Sequence, residues 1–160
     1  MQNHYFYERQ KFTQTWVWII LLVSFTLPVI IPFLSSEDVK FFNDNSKSVL
    51  ALGFFFLSFF YLLELRVSVN EEGIHYQFFP IHFKKYTINF DEIEEFKAVS
   101  YSPLKDYRGW GIKHGFSGTA YNVKGTKGVR IHLKNKSRHI LFGSQENEAF
   151  EEALKKFIKP

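Results

Sequence analysis

Residues Trp16–Leu34 read WVWIILLVSFTLPVIIPFL, and no charged residue occurs anywhere from Phe12 to Ser36. A helix over this stretch is roughly 28 Å long at about 1.5 Å per residue, close to the ~30 Å hydrocarbon core of a bilayer. The expectation is a membrane span over 14–34. Pro28 and Pro32 would break a soluble helix, whereas in a membrane helix they are tolerated as a bend near one end. Arg9 and Lys11 ahead of the run also suit a signal peptide, but no small-x-small cleavage site follows. A second uncharged block, Ser48 to Leu63, reads SVLALGFFFLSFFYLL. It predicts a second span over 47–65, lengthened by Leu65 and by Lys47 reaching outward. The rival reading is a buried core helix, but Phe54, Phe55, Phe56, Phe59 and Phe60 leave no face for water. Gly53 would let the two helices approach closely.

Around these blocks the composition changes. The 160 residues are 46% hydrophobic with 20 Phe, and they contain no cysteine, which excludes disulfides, thiolate metal sites and a Cys nucleophile. Positive charge is concentrated late: residues 66–160 carry 16 Lys/Arg against 11 Asp/Glu, and residues 1–65 carry four against five. Arg9, Lys11, Arg66, Lys84 and Lys85 flank the hairpin, and Lys40 and Lys47 lie within its turn. By the positive-inside rule this places both termini in the cytoplasm of a two-span protein of the cell membrane. Trp16, Trp18 and Tyr61 would form an aromatic belt at one interface.

After Leu65 the pattern alternates, as half-buried strands do. Eight segments qualify: Arg66–Asn70, Ile74–Phe79, Lys85–Phe90, Ile93–Tyr101, Trp110–His114, Thr119–Lys124, Val129–Lys134 and Arg138–Phe142. The turn Glu71-Glu72-Gly73 supplies a glycine for positive φ. With Asn135-Lys136 as a turn, Val129, Ile131 and Leu133 share a face with Ile140 and Phe142, and a slip by one residue destroys the agreement. A helix over 145–158 follows, with Ser144 as N-cap and Phe150, Ala153, Leu154 and Phe157 as its apolar stripe. The expected organisation is a hairpin over 12–65 and an antiparallel β domain over 66–160 that curls into a barrel or sandwich.

Short antiparallel strands closed by one amphipathic helix, directly after a two-span hairpin, resemble the bacterial pleckstrin-homology-like domains of small membrane proteins. More narrowly, YRGWGIKHGFSGTAYNVKGTKGVRIHL (Tyr107 to Leu133), followed by HILFGSQ (His139 to Gln145), is similar to an uncharacterised family of small two-span bacterial membrane proteins. The resemblance implies an α+β fold with a pleckstrin-homology-like barrel or sandwich and a C-terminal helix, and it implies no activity. The eight strand-like segments exceed the seven of that core by one.

Between Lys105 and Arg138 nine Lys/Arg stand against Asp106 alone. Lys105, Arg108, Lys113, Lys124, Lys127 and Arg130 are the candidates for binding anionic lipid headgroups, and an ordinary solvated face is the other reading. Six of the nine glycines fall between Gly109 and Gly128. They read as a phosphate cradle or as turns, Gly115-Phe116-Ser117-Gly118 and Gly125-Thr126-Lys127-Gly128, and no helix follows them as in nucleotide loops. His132 and His139 face each other in the argued register, and the pair reads as a weak metal site or as solvated side chains. No catalytic constellation, cofactor motif or nucleic-acid motif is visible. An enzyme would need Trp110, Tyr121 and Asn122 in one pocket. The sequence therefore points to a non-enzymatic, membrane-anchored binding or scaffold module touching anionic lipid or a protein partner. The alternative is an accessory subunit of a transporter or other membrane complex.

Overall fold

A computed structural model describes residues 5–35, 39–115, 118–134 and 136–158, with side chains for all of these except 32, 33, 35 and 39–46. Phe116, Ser117 and Asn135, which belong to two of the expected turns, lie outside the described residues, as does Lys159. The chain forms two units, one from residues 12–62 and one from residues 1–11 with 63–160.

The first unit pairs two helices, α1 (Thr15–Ser35) and α2 (Val39–Leu62). Gly53 is buried at their contact, where a Cβ would stand 2.9 Å from Cγ of Phe25, so only glycine fits. The rings of Phe25 and Phe56 stack at 5.7 Å. Among the described residues, no helix is long and apolar enough to cross a membrane. This corrects the two spans at 14–34 and 47–65 and the location built on them, a two-span cell-membrane protein with cytoplasmic termini. In α2 the sequence carries Lys40, Asp44 and Lys47, so its uncharged part runs only from Ser48 to Leu62, about 22 Å of helix and short of the ~30 Å needed.

The second unit is built on two sheets. One has the order β1 (Phe6–Lys11), β2 (Glu64–Val69), β3 (Ile74–Phe79) and β4 (Tyr86–Ile88), all antiparallel. The other has the order β5, β8, β9, β7, β6, formed by Ile93–Ser100, Lys127–Leu133, His139–Gly143, Gly118–Asn122 and Gly111–His114. Strand β1 precedes the helices in sequence yet pairs with the strand that follows them, Lys11 lying opposite Glu64. The sheet unit thus begins at the N-terminus, not at residue 66.

Leu65, Val67, Val69, Ile74 and Phe78 of the first sheet and Val129, Ile131 and Phe142 of the second are all buried, and Phe150 of α4 (Asn147–Lys155) stacks on Phe6 at 4.7 Å. The α4 stripe includes Phe150, Ala153 and Leu154, all buried, and Phe157 stacks on Phe90 just beyond the helix. The helix is shorter than the expected 145–158, because Glu146 rather than Ser144 occupies the N-cap. Ser144 serves differently: its Oγ donates to Glu8 at 2.5 Å and accepts from the amide of Glu146 at 3.1 Å. Two polar side chains of β1 thereby hold the β9–α4 junction, since Gln10 Nε2 also donates to the carbonyl of Gly143 at 2.6 Å. At the first turn Asn70 Oδ1 accepts from the amides of Glu72 and Gly73, and Gly73 takes φ 151 with its Cβ position 2.2 Å from the carbonyl of Ile88.

The β8–β9 register agrees with the sequence reading, Ile131 opposite Ile140 and Val129 opposite Phe142. The antiparallel pleckstrin-homology-like barrel is corrected, however, because β7 and β9 pair in parallel. A meander joins neighbours in chain order; here β9 enters between β8 and β7, so the fold is α+β with two sheets and, among the described residues, four α-helices.

Candidate functional site: a basic cleft beside helix α3

A helix missing from the sequence reading organises the outer face of the five-stranded sheet. Helix α3 is one turn and a half, Pro103–Tyr107, with Ser102 as N-cap and proline at its first position. Ser102 Oγ accepts from the amide of Lys105 at 3.4 Å, and Asp106 returns a carboxylate oxygen to the amide of Ser102 at 2.8 Å. The helix ends on Arg108 in the left-handed region, φ 61, where glycine or asparagine is usual. Its amide and that of Gly109 reach back to the carbonyls of Leu104 and Pro103 at 3.0 and 2.8 Å.

From α3 the buried side chain of Tyr107 packs with Tyr101, Ala120 and Leu141, so this face of the sheet is covered too. Its hydroxyl lies 2.7 Å from Nε2 of His139, itself buried. Burial, with the charges of Arg130 and His132 nearby, pushes His139 down to about 4, so it is neutral near pH 7. The tyrosine hydroxyl and the neutral ring thus share a buried hydrogen bond. Burial raises Tyr107, while Arg130 opposes and Asp106 adds to the rise. His132 and His139 do lie together, with ring centroids 5.4 Å apart, but His139 is engaged by Tyr107. Among the described residues, no group of three or more His, Cys, Asp or Glu side chains could hold a metal ion.

At the solvent side of α3 lies a cleft of about 390 Å³ lined by Lys105, Asp106, Tyr107, Arg108, His114, Gly115 and Arg138. Of the six basic residues singled out in the sequence, it gathers Lys105 and Arg108. Lys113 is half-buried near Gly109, its Cε 3.7 Å from the Cβ position there. Lys124 and Lys127 sit in and just after the turn linking β7 to β8, where the carbonyl of Lys124 accepts from Gln145 at 3.2 Å. Arg130 lines a separate small cavity with Glu95, Lys97 and His132. Arg138 and His114 are the members the sequence reading left out. The signal for both was topological: Arg138 leads into β9 and His114 ends β6, and the parallel pairing of β9 with β7 sets the strand ends near each other.

The arrangement can hold an anion. Three permanent cations and one histidine line the cleft against a single carboxylate, and that carboxylate is already bonded to a backbone amide. The triad an enzyme would need is not assembled, because Tyr121 packs on Tyr76 and Phe142 while Asn122, fully buried, turns the other way and accepts from the amide of Gly111 at 2.9 Å.

No protein-family model, no characterised protein and no solved structure matches the chain.

Proposed function

We propose that the chain is a non-enzymatic binding module whose ligand is a phosphate-bearing anion held in the α3 cleft. The observation that carries this reading is the excess of Lys105, Arg108 and Arg138 over an Asp106 carboxylate already spent on the helix cap. Guanidinium groups bind phosphate in bidentate fashion, and Arg108 is held at its place by a backbone conformation that costs about 1 kcal/mol or more for a non-glycine residue. The phosphate belongs to a free metabolite or to a lipid headgroup, chemistry the cleft would treat alike.

Calorimetric titration of the full chain with inorganic pyrophosphate tests the reading. Binding should weaken with salt and fall roughly tenfold or more in Arg138→Ala, and anionic vesicles should compete if the natural source is a headgroup. Equal heats for wild type and variant would refute it.

A second reading, an accessory subunit of a larger assembly, is favoured by the helical unit. Ile19, Ile20, Leu50, Phe54 and Phe55 are all exposed on it, Phe54 by 75%. Apolar surface of this extent marks a contact with an apolar partner. Stoichiometric co-purification of one protein in mild detergent would support that reading; its loss on Phe54→Ser with Phe55→Ser would locate the contact.

A further inference from the structure

The loop between β3 and β4 is built to display an aromatic side chain. Its sequence is PIHFKK, Pro80 to Lys85, after a cis Phe79–Pro80 peptide. Phe83 is 84% exposed and Ile81 50%, while His82 between them turns inward against Tyr86 and Tyr121, with ring centroids at 4.7 and 5.8 Å. The backbone is braced. The amide of His82 donates to the carbonyl of Phe78 at 2.7 Å, and Gln77 Nε2 donates to the carbonyls of His82 and Phe83 at 3.0 and 3.3 Å. The amide of Phe78 donates to Nδ1 of His82 at 3.4 Å. The two apolar tips are therefore held outward by hydrogen bonds on the residues around them.

The charges next to the tip in sequence are of one sign only. Lys84 and Lys85 follow Phe83 directly and are exposed, and no acidic residue occurs from Gln77 to Phe90. Phe79 pairs with Glu64, so the loop leaves the sheet at the end where β1 finishes with Lys11 and β2 begins. The acid there is neutralised: Glu64 is ion-paired to Arg9 and Arg66, with Lys11 at 3.8 Å. Arg66 also lines a hollow on this face of the sheet together with Lys85.

We propose that this loop is a wedge for an anionic lipid surface, with Phe83 and Ile81 entering the acyl boundary and Lys84 and Lys85 on the headgroups. A projecting apolar tip suits a soft layer that closes around it, whereas a protein partner would have to offer a matching pocket. Lysines beside the tip match anionic headgroups. The inference uses none of the cleft residues, so either reading can fail without the other.

The chain has no cysteine, so Phe83→Cys carrying a polarity-sensitive fluorophore reports from one place in the full-length protein. With vesicles of mixed phosphatidylcholine and phosphatidylglycerol, its emission should shift to the blue, and the same label on Glu94→Cys should not respond. Replacing Lys84 and Lys85 with alanine in the labelled protein should raise the lipid concentration at half-signal roughly twenty-five-fold, from about fivefold per lysine at the surface. An equal shift on pure phosphatidylcholine, no shift on any vesicle, or a shift produced by raising protein concentration without lipid would each overturn the proposal. Pyrophosphate binding in the cleft should be the same with and without these changes.

Discussion

The sheet unit and the helical unit dispose of their side chains in opposite ways. In the sheet unit polar groups go inside: Glu8, Gln10, Glu64, Asn122 and His139 are all buried, and each meets a hydrogen-bond or ionic partner. In the helical unit apolar groups stay outside, with Ile19, Ile31, Leu34, Phe54 and Phe55 all about half exposed or more. The sheet unit carries its own core, closed by Phe142, Phe150 and Leu154 at 0% exposure. The helices approach closely at Gly53 and stack Phe25 on Phe56, yet Ile19, Ile31, Leu34, Phe54 and Phe55 remain exposed. Hydrophobic content thus says how much apolar surface a segment has and nothing of whether the segment can bury it alone.

The sharpest contrast comes from truncating one phenylalanine in each unit. Phe150→Ala should cost about 3–5 kcal/mol in urea unfolding of the sheet unit, since it removes a ring stacked on Phe6 and packed near Phe142. Phe54→Ala, at an exposed site, should change the same transition by less than about 0.5 kcal/mol. Comparable losses from both would erase the distinction. Within the helical unit, Gly53→Leu forces a side chain onto Phe25 and should cost about 1–3 kcal/mol, read as earlier melting of the helical circular dichroism. Unchanged melting would show that α1 and α2 do not depend on that approach.

Buried polar groups of the sheet unit supply the next tests. Glu64→Gln leaves Arg9 and Arg66 side by side without their anion. Because both guanidinium groups are partly exposed, the loss should be about 1–2 kcal/mol, measured by denaturation at low salt and smaller at high salt. The last of these tests is a pH dependence. His139 sits at about 4 in the fold against an ordinary 6.5, so the unfolded chain binds the proton more readily. Stability of the sheet unit should be full above about pH 6.5 and decline as pH falls toward about 4. His139→Phe should flatten that part of the profile; an unaltered slope would assign it to other groups.

Some of this architecture was legible in the sequence, and the failures have identifiable causes. The β8–β9 register was readable because Val129, Ile131 and Leu133 alternate with Arg130 and His132 along β8. Strand β1 was hidden because its inward positions include Glu8 and Gln10, so FYERQK shows no apolar alternation, and its partner lies beyond both helices. The parallel β7–β9 pair was hidden because turn signals report only chain neighbours. Missing α3 had the widest consequence. Ser102 followed by Pro103 is a helix-start signal, and without the helix His139 was read as facing solvent when Tyr107 covers it. The same helix brings Lys105 and Arg108 to Arg138, which no spacing along the chain announces. The two apolar blocks do form helices, α1 and α2, but the described residues provide no span.

The claim on which the functional reading depends is that the α3 cleft, and not the basic surface at large, takes the anion. Amide chemical shifts of the isotopically labelled full chain during titration with inorganic pyrophosphate test it directly. The account predicts saturable shifts concentrated at Lys105–Arg108, His114, Gly115 and Arg138, lost in Arg138→Ala. Shifts spread evenly over Lys84, Lys97, Lys127 and Lys136, or none that saturate, would contradict it.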